Sequence, residues 1–96
     1  MSEPGIISVR AIVTGRVQRV GFRGFIAKTA MNRSLSGWVS NREDGSVEFE
    51  AHGDQTRIDE LLKVARKGPF IARVDSLELE QIKNPVDIDE GFVIAD

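Results

Sequence analysis

Several residue types that build well-known protein sites are absent or scarce in this 96-residue chain. It contains no cysteine, which excludes a disulfide framework and a thiolate metal site. Its single histidine, His52, leaves little for a metal centre. No apolar run approaches membrane-spanning length, and residues 1–5 lack the features of a secretion signal. We therefore expect a soluble cytoplasmic protein that needs no metal or cofactor.

Charge is unevenly distributed along the chain, although the formal net charge is only −2. Residues 1–42 carry seven basic side chains and one acidic side chain, whereas residues 43–96 carry six basic and fourteen acidic ones. Basic residues concentrated in one part of an acidic protein create a local positive field. This field favours a small anionic ligand. It disfavours nucleic acid, which needs an extended basic stripe.

Hydrophobic periodicity predicts the element order β-α-β-β-α-β followed by a short terminal strand. The predicted strands cover residues 6–14, 35–41, 47–51, 74–82 and 92–95, and the predicted helices cover residues 22–33 and 55–67, with residues 84–90 as a loop. This order is typical of an α+β, ferredoxin-like α/β sandwich, in which an antiparallel sheet carries two helices on one face. We expect one domain over residues 1–96, because a chain this short forms a single core.

The segment Val13-Thr-Gly-Arg-Val-Gln-Arg-Val-Gly-Phe-Arg23 carries the strongest functional signal. A β-branched strand ends at Gly15, an arginine-rich loop runs to Gly21, and a helical pattern begins with Arg23 in its first turn. Glycine permits tight backbone dihedrals, and the N–H groups at a helix N-terminus bind anions. The Arg23 guanidinium is a planar fork suited to a phosphoryl group. The segment therefore predicts a site for a small tetrahedral anion.

This loop and two segments downstream resemble the acylphosphatase family. The resemblance is carried by Gly15–Arg23, Gly37-Trp-Val-Ser-Asn41 and Asp44-Gly45-Ser-Val-Glu48, in this order and spacing. It extends over nearly the whole chain. It implies hydrolysis of the carboxyl–phosphate bond of acyl phosphates to a carboxylate and inorganic phosphate, without a metal.

The resemblance also implies roles for individual residues. Arg23 would bind the phosphoryl group and Asn41 would position the attacking water. The other substrate-binding residues would come from the loop: Gly15, Arg16, Val17, Gln18, Arg19, Val20 and Gly21. The implied partner is a small-molecule acyl phosphate. From the composition and charge pattern we expect no nucleic acid and no membrane as partners, and because nothing in the sequence demands an oligomer we expect a monomer. Asn41 is too weak a base to take a proton, so we expect an oxygen of the substrate phosphate to accept it.

Arg19 departs from the family pattern, which usually has glycine at this position. If the loop requires a positive φ there, an arginine costs on the order of 1 kcal/mol or more. If it does not, Arg19 adds a cation beside the phosphate. We expect that Arg19 is tolerated and modestly favours anion binding.

Other polar and aromatic residues have structural interpretations. We expect Trp38 to pack in or near the core, His52 to lie at the surface, and Glu43 and Asp44 to be solvated in a hairpin turn. Gln18 either braces the loop by side-chain hydrogen bonds or lies exposed.

Three rival functions accompany the enzyme. The first is a non-catalytic ferredoxin-like module that binds anions or has a regulatory role, although such a module has no need for a water-positioning Asn41. The second is an RNA-binding sheet, which requires exposed aromatic residues on its middle strands; here those strands carry Glu48 and Glu50, and the chain has no tyrosine. The third is a domain detached from a large carbamoyl-transfer maturation protein.

Overall fold

The predicted element order is confirmed by a computed structural model, which describes residues 5–83 and 91–95. The elements are β1 (Ile7–Arg16), α1 (Phe22–Asn32), β2 (Ser36–Asn41), β3 (Val47–Gly53), α2 (Gln55–Lys67), β4 (Arg73–Gln81) and β5 (Phe92–Ala95). The loop predicted for residues 84–90 lies outside the described residues. Within the described ranges, neither helix is long and apolar enough to cross a membrane.

The strands form one five-stranded sheet in the order β4-β1-β3-β2-β5. The pairs β4–β1, β1–β3 and β3–β2 are antiparallel, but β5 pairs with β2 in parallel. The predicted antiparallel sheet is therefore confirmed for β1 to β4, and the parallel pairing of the short terminal strand makes the whole sheet mixed. Alternating hydrophobic residues specify which face of a strand is buried, but they do not specify the strand's neighbour or its direction.

This topology brings three chain segments to one end of the sheet. Because β1 and β2 are both antiparallel to β3, they run in the same direction. β5 runs parallel to β2. The carboxyl ends of β1, β2 and β5 therefore lie at the same end, close to the point where the chain enters α1.

One face of the sheet is covered by both helices, as predicted. Alternate residues of β1 and β3 are buried beneath the apolar faces of α1 and α2, in a core of Val9, Ala11, Val13, Val47, Phe49, Ala51, Phe22, Ile26, Ala30, Ile58, Leu61 and Ala65. The opposite face is polar. There Arg10 lies 3.4 Å from both Glu48 and Glu50 and 3.9 Å from Glu80, and such partly exposed ion pairs contribute little individually to stability.

Two predictions about single residues on the polar side of the sheet are wrong. His52 is only 4% exposed. Its Nδ1 lies 2.6 Å from the Ser8 hydroxyl and its Nε2 lies 3.3 Å from a carboxylate oxygen of Glu50. These cross-strand partners satisfy the ring and permit its burial. Trp38 is partly buried outside the core, because it alternates with the buried Val39 and faces the other side of the sheet.

Candidate active site

A cavity of about 170 Å³ lies where the loop after β1 enters α1. Its wall is formed by that loop, by the first turn of α1, by the last residue of β2 and by β5. The lining residues are Val17, Arg19, Gly21, Phe22, Arg23, Gly24, Asn41 and Ile94. The sheet topology thus brings together the two residues that the sequence singled out, Arg23 and Asn41, which are 18 positions apart in the chain.

The N-terminus of α1 forms part of this wall. Gly21 is the N-cap residue, with φ 77° and ψ 18°, a left-handed conformation that glycine adopts without steric penalty. No side chain caps this end of the helix, and its first turn contains no acidic residue. The first N–H groups of a helix have no acceptor within the helix, and they carry the positive end of the helix dipole. The helix therefore presents an anion-binding end to the cavity.

The Arg23 side chain is oriented by the last strand of the sheet. It is partly buried, and its Nη1 donates a hydrogen bond to the backbone carbonyl oxygen of Ala95 at 3.3 Å. The neighbouring Ile94 lines the same cavity. The sequence predicted β5 as a strand but did not predict its part in the site, since no local pattern reveals which carbonyl an arginine 72 residues away will meet.

Gln18 joins the loop to the turn between β2 and β3. Its Nε2 donates hydrogen bonds to the carbonyl oxygens of Arg42, at 2.8 Å, and Ser46, at 2.9 Å. The same turn is closed by a hydrogen bond from Arg42 N–H to the Ser46 carbonyl oxygen at 2.8 Å. Of the two interpretations left open for Gln18, the structure therefore favours the brace. The brace fixes the loop relative to Asn41, which immediately precedes this turn.

Asn41 contributes an unsatisfied acceptor to the site. Its side-chain oxygen, Oδ1, is buried and has no hydrogen-bond partner within the described part of the chain. An unpaired buried acceptor costs about 1–3 kcal/mol, and buried polar groups are normally satisfied by protein or water. Because Asn41 lines the cavity, a molecule bound there is well placed to supply the missing donor.

The turn carboxylates lie outside the cavity wall. Glu43 and Asp44 are exposed, and the side chain of Asp44 accepts hydrogen bonds from both the hydroxyl and the backbone N–H of Ser46. These bonds, with the side-chain bond contributing most, hold the pKa of Asp44 below its usual value. Asp44 therefore stabilises the turn in its ionised form.

Other predicted substrate-binding residues lie beside the cavity and do not line it. Gly15 and Arg16 belong to β1 and pair with Val74 and Arg73 of β4. A Cβ added to Gly15 would lie 2.1 Å from the carbonyl oxygen of Arg73, so this close approach of two strands requires glycine. Val20 packs against the core. A role for these residues and for Gln18 in substrate binding stays a prediction.

Arg19 adopts a positive φ, the conformation that is costly for a residue with a side chain. Its φ is 65°, and its exposed side chain stands at the cavity. Among the described residues, its guanidinium has no hydrogen-bond or ion-pair partner. The left-handed conformation costs a non-glycine residue roughly 1–2 kcal/mol.

This strain predicts an inverted order of stability between glycine and alanine variants. At residue 19 we expect Arg19→Gly to be more stable than Arg19→Ala by about 0.5–1 kcal/mol, because relief of the strain exceeds the backbone entropy of glycine. Arg16 is the matched control, because it lies in β1 and has no positive φ. There we expect the alanine variant to be more stable than the glycine variant by about 0.5–1 kcal/mol. Urea unfolding of the four variants measures both differences. The same order at both positions would contradict the strain.

Comparison with known proteins identifies the family. The acylphosphatase family profile matches residues 9–94. The acylphosphatase of Chlorobaculum tepidum is 49% identical over 75 residues, which cover 78% of this chain and 82% of that protein. The acylphosphatase of Caldivirga maquilingensis is 46% identical over 89 residues, covering 92% and 93%. The crystal structure of acylphosphatase from Bacillus subtilis superposes with a TM-score of 0.89 at 33% identity, covering 94% of this chain and 99% of that one. Together with the loop and strand-end motifs, these similarities show that the chain belongs to the acylphosphatase family.

Proposed function

We propose that this protein is an acylphosphatase that hydrolyses the carboxyl–phosphate bond of acyl phosphates, yielding a carboxylate and inorganic phosphate without a metal ion. Membership of the family supports the reaction. The observation that carries the proposal is that one cavity is lined by the N-terminus of α1, by Arg23 and by Asn41. These groups supply anion binding, charge stabilisation and an acceptor for water.

The phosphoryl group binds at the loop and the first turn of α1. Backbone N–H groups there and the Arg23 fork neutralise charge on the equatorial oxygens of phosphorus. Phosphoryl transfer passes through a loose transition state, so positioning and charge stabilisation do most of the catalysis. Preorganised donors provide this stabilisation in a fixed geometry.

The chemistry of the leaving group suits the side chains that line the cavity. The described lining contains no histidine and no carboxylate, so it offers no strong general acid. An acyl phosphate does not need one, because its leaving group is a weakly basic carboxylate. The substrate class and the composition of the site therefore agree.

Asn41 orients the attacking water. Its buried Oδ1 accepts a hydrogen bond from the water, whose oxygen forms the new bond to phosphorus. The bond between phosphorus and the acyl oxygen breaks, and the carboxylate leaves with the electron pair. A carboxamide cannot act as the base, so the water's proton passes to an oxygen of the substrate's own phosphate.

The proposal also covers domain organisation, oligomeric state and location. Residues 1–96 act as one acylphosphatase-like domain, and the family profile covers most of this length. The protein works as a monomer in the cytoplasm. Its cysteine-free chain needs no oxidising compartment in order to fold.

The proposal is tested with benzoyl phosphate in the presence of a chelator. We expect stoichiometric release of benzoate and inorganic phosphate at a rate that the chelator leaves unchanged. The Arg23→Ala variant, purified in parallel, reports any contaminating activity. Phosphate binding without turnover would favour the non-catalytic anion-binding or regulatory module instead, and loss of turnover on chelation would contradict the metal-free mechanism.

A further inference from the structure

We propose that Arg19 is a specificity-determining residue that recognises a second negative charge, carried on the acyl portion of the substrate. The preferred substrates are acyl phosphates whose acyl group ends in a carboxylate or another anion. This inference rests on the proposed function and deepens it, because it assigns the part of the site that faces the leaving group.

The first observation is the strained backbone of Arg19. A bulky residue with φ 65° is an outlier, and glycine would hold the same loop conformation without strain. Strained residues of this kind cluster at ligand-binding sites. The other non-glycine residue with positive φ among the described residues, Ser34, lies just after α1, where a left-handed residue commonly ends a helix. Arg19 has no such role, so the strain points to a use for its side chain.

The second observation is the contrast between the two arginines of the cavity. Arg23 is partly buried and is held by the Ala95 carbonyl oxygen. Arg19 is exposed and has no hydrogen-bond or ion-pair partner among the described residues. Arg23 therefore has a fixed orientation at the phosphoryl end of the site, whereas Arg19 stands at the solvent side with its donors available.

The third observation is that apolar residues line the cavity together with these two arginines. Val17, Phe22 and Ile94 line the same cavity, and Ile94 is 52% exposed, so its side chain continues the wall toward solvent. With the phosphoryl group held at the N-terminus of α1, the acyl group extends along this wall to the rim. An acyl group that is apolar near the phosphoryl group and ends in an anion would contact the apolar lining and then pair with the guanidinium of Arg19.

The inference is tested with pairs of substrates that differ in one charge. The probes are 4-carboxybenzoyl phosphate and 3-carboxybenzoyl phosphate, each compared with the corresponding methylbenzoyl phosphate. The measured quantity is the ratio of kcat/KM within each pair, because any general effect of a substitution on phosphoryl binding cancels. The two ring positions sample two distances between phosphorus and the carboxylate.

We expect Arg19→Gln to lower the ratio for the better carboxylated probe by about three- to five-fold, the size of effect typical of a partly solvated ion pair. Arg19→Lys should restore most of the ratio, and added salt should reduce it in the wild type toward the value of Arg19→Gln. The matched control is Lys28→Gln, which removes the same charge from an exposed position on α1 and should keep the wild-type ratio.

The outcomes separate this inference from the proposed function. Hydrolysis of all probes with equal ratios in the wild type and Arg19→Gln would overturn the role of Arg19 and leave the acylphosphatase activity standing. An equal fall in the ratio for Arg19→Gln and Lys28→Gln would assign the effect to net charge and would also overturn it. A wild-type protein that hydrolyses none of the probes would overturn both proposals.

Discussion

Replacing Arg23 by alanine is expected to lower kcat/KM for benzoyl phosphate by about a thousand-fold and to abolish measurable inhibition by inorganic phosphate. Removing a preorganised donor or an arginine from a phosphoryl-transfer site costs rates of this order. Arg23 lies in the first turn of α1, and its guanidinium is oriented by the Ala95 carbonyl oxygen. Both the ground state and the transition state carry the phosphate charge, so binding and turnover should fall together.

Two further variants make the Arg23 result specific. Arg23→Lys keeps the charge but loses the planar fork, so it should recover only part of the phosphate affinity. Lys28→Ala removes a cation from an exposed position on the same helix and should change neither parameter. Because Arg23 also tethers β5, urea unfolding of Arg23→Ala checks that the sheet remains folded. If the Arg23→Ala protein is folded and inorganic phosphate still inhibits it as it inhibits the wild type, Arg23 does not bind the phosphate.

The sequence predicted the parts of the site that depend on local chemistry. The glycine-framed loop, the start of α1 at Phe22 and the end of β2 at Asn41 are each encoded by a few neighbouring residues. The alternation of buried and exposed residues in β1 and β3 likewise predicted the core face of the sheet. Such signals can be recognised without knowledge of tertiary contacts, because they reflect backbone preference and periodicity.

Most of the features that the sequence did not predict depend on a partner far along the chain. The burial of His52 requires Ser8, which the register of β1 and β3 places opposite it. The brace formed by Gln18 requires two carbonyl oxygens of the β2–β3 turn. The parallel pairing of β5 with β2, which brings Ala95 to Arg23, joins two strands that are far apart in the chain.

Arg19 departs from the family pattern in a way that affects both its backbone and the charge at the cavity. Its departure from the family pattern predicted two exclusive consequences, strain at positive φ or an added cation beside the phosphate. The structure has the positive φ and also places the residue at the cavity. The strain at positive φ is therefore confirmed, whereas a cation beside the phosphate stays a prediction.

Replacing Asn41 by alanine is expected to separate turnover from binding. We expect kcat for benzoyl phosphate to fall by about a hundred- to a thousand-fold, the range found when one positioned polar group is lost from a preorganised site. The inhibition constant for inorganic phosphate should stay within about three-fold of the wild-type value, because in the proposed mechanism the loop and Arg23 hold the phosphate. Ser36→Ala, at the other end of β2, is the control for effects on the strand.

The pH dependence of the Asn41→Ala variant distinguishes water positioning from proton transfer. A carboxamide does not titrate near neutral pH, so its removal should lower kcat at every pH without altering the shape of the profile. If the substrate phosphate accepts the proton, the pH profile of kcat should follow the ionisation of the substrate. It should then have the same shape in the wild type and in the variant. A profile that changes shape would implicate an enzyme base near Asn41, and an equal loss of phosphate affinity would make Asn41 a phosphate ligand. Either result would contradict the proposal that Arg23 holds the phosphate and Asn41 positions the water.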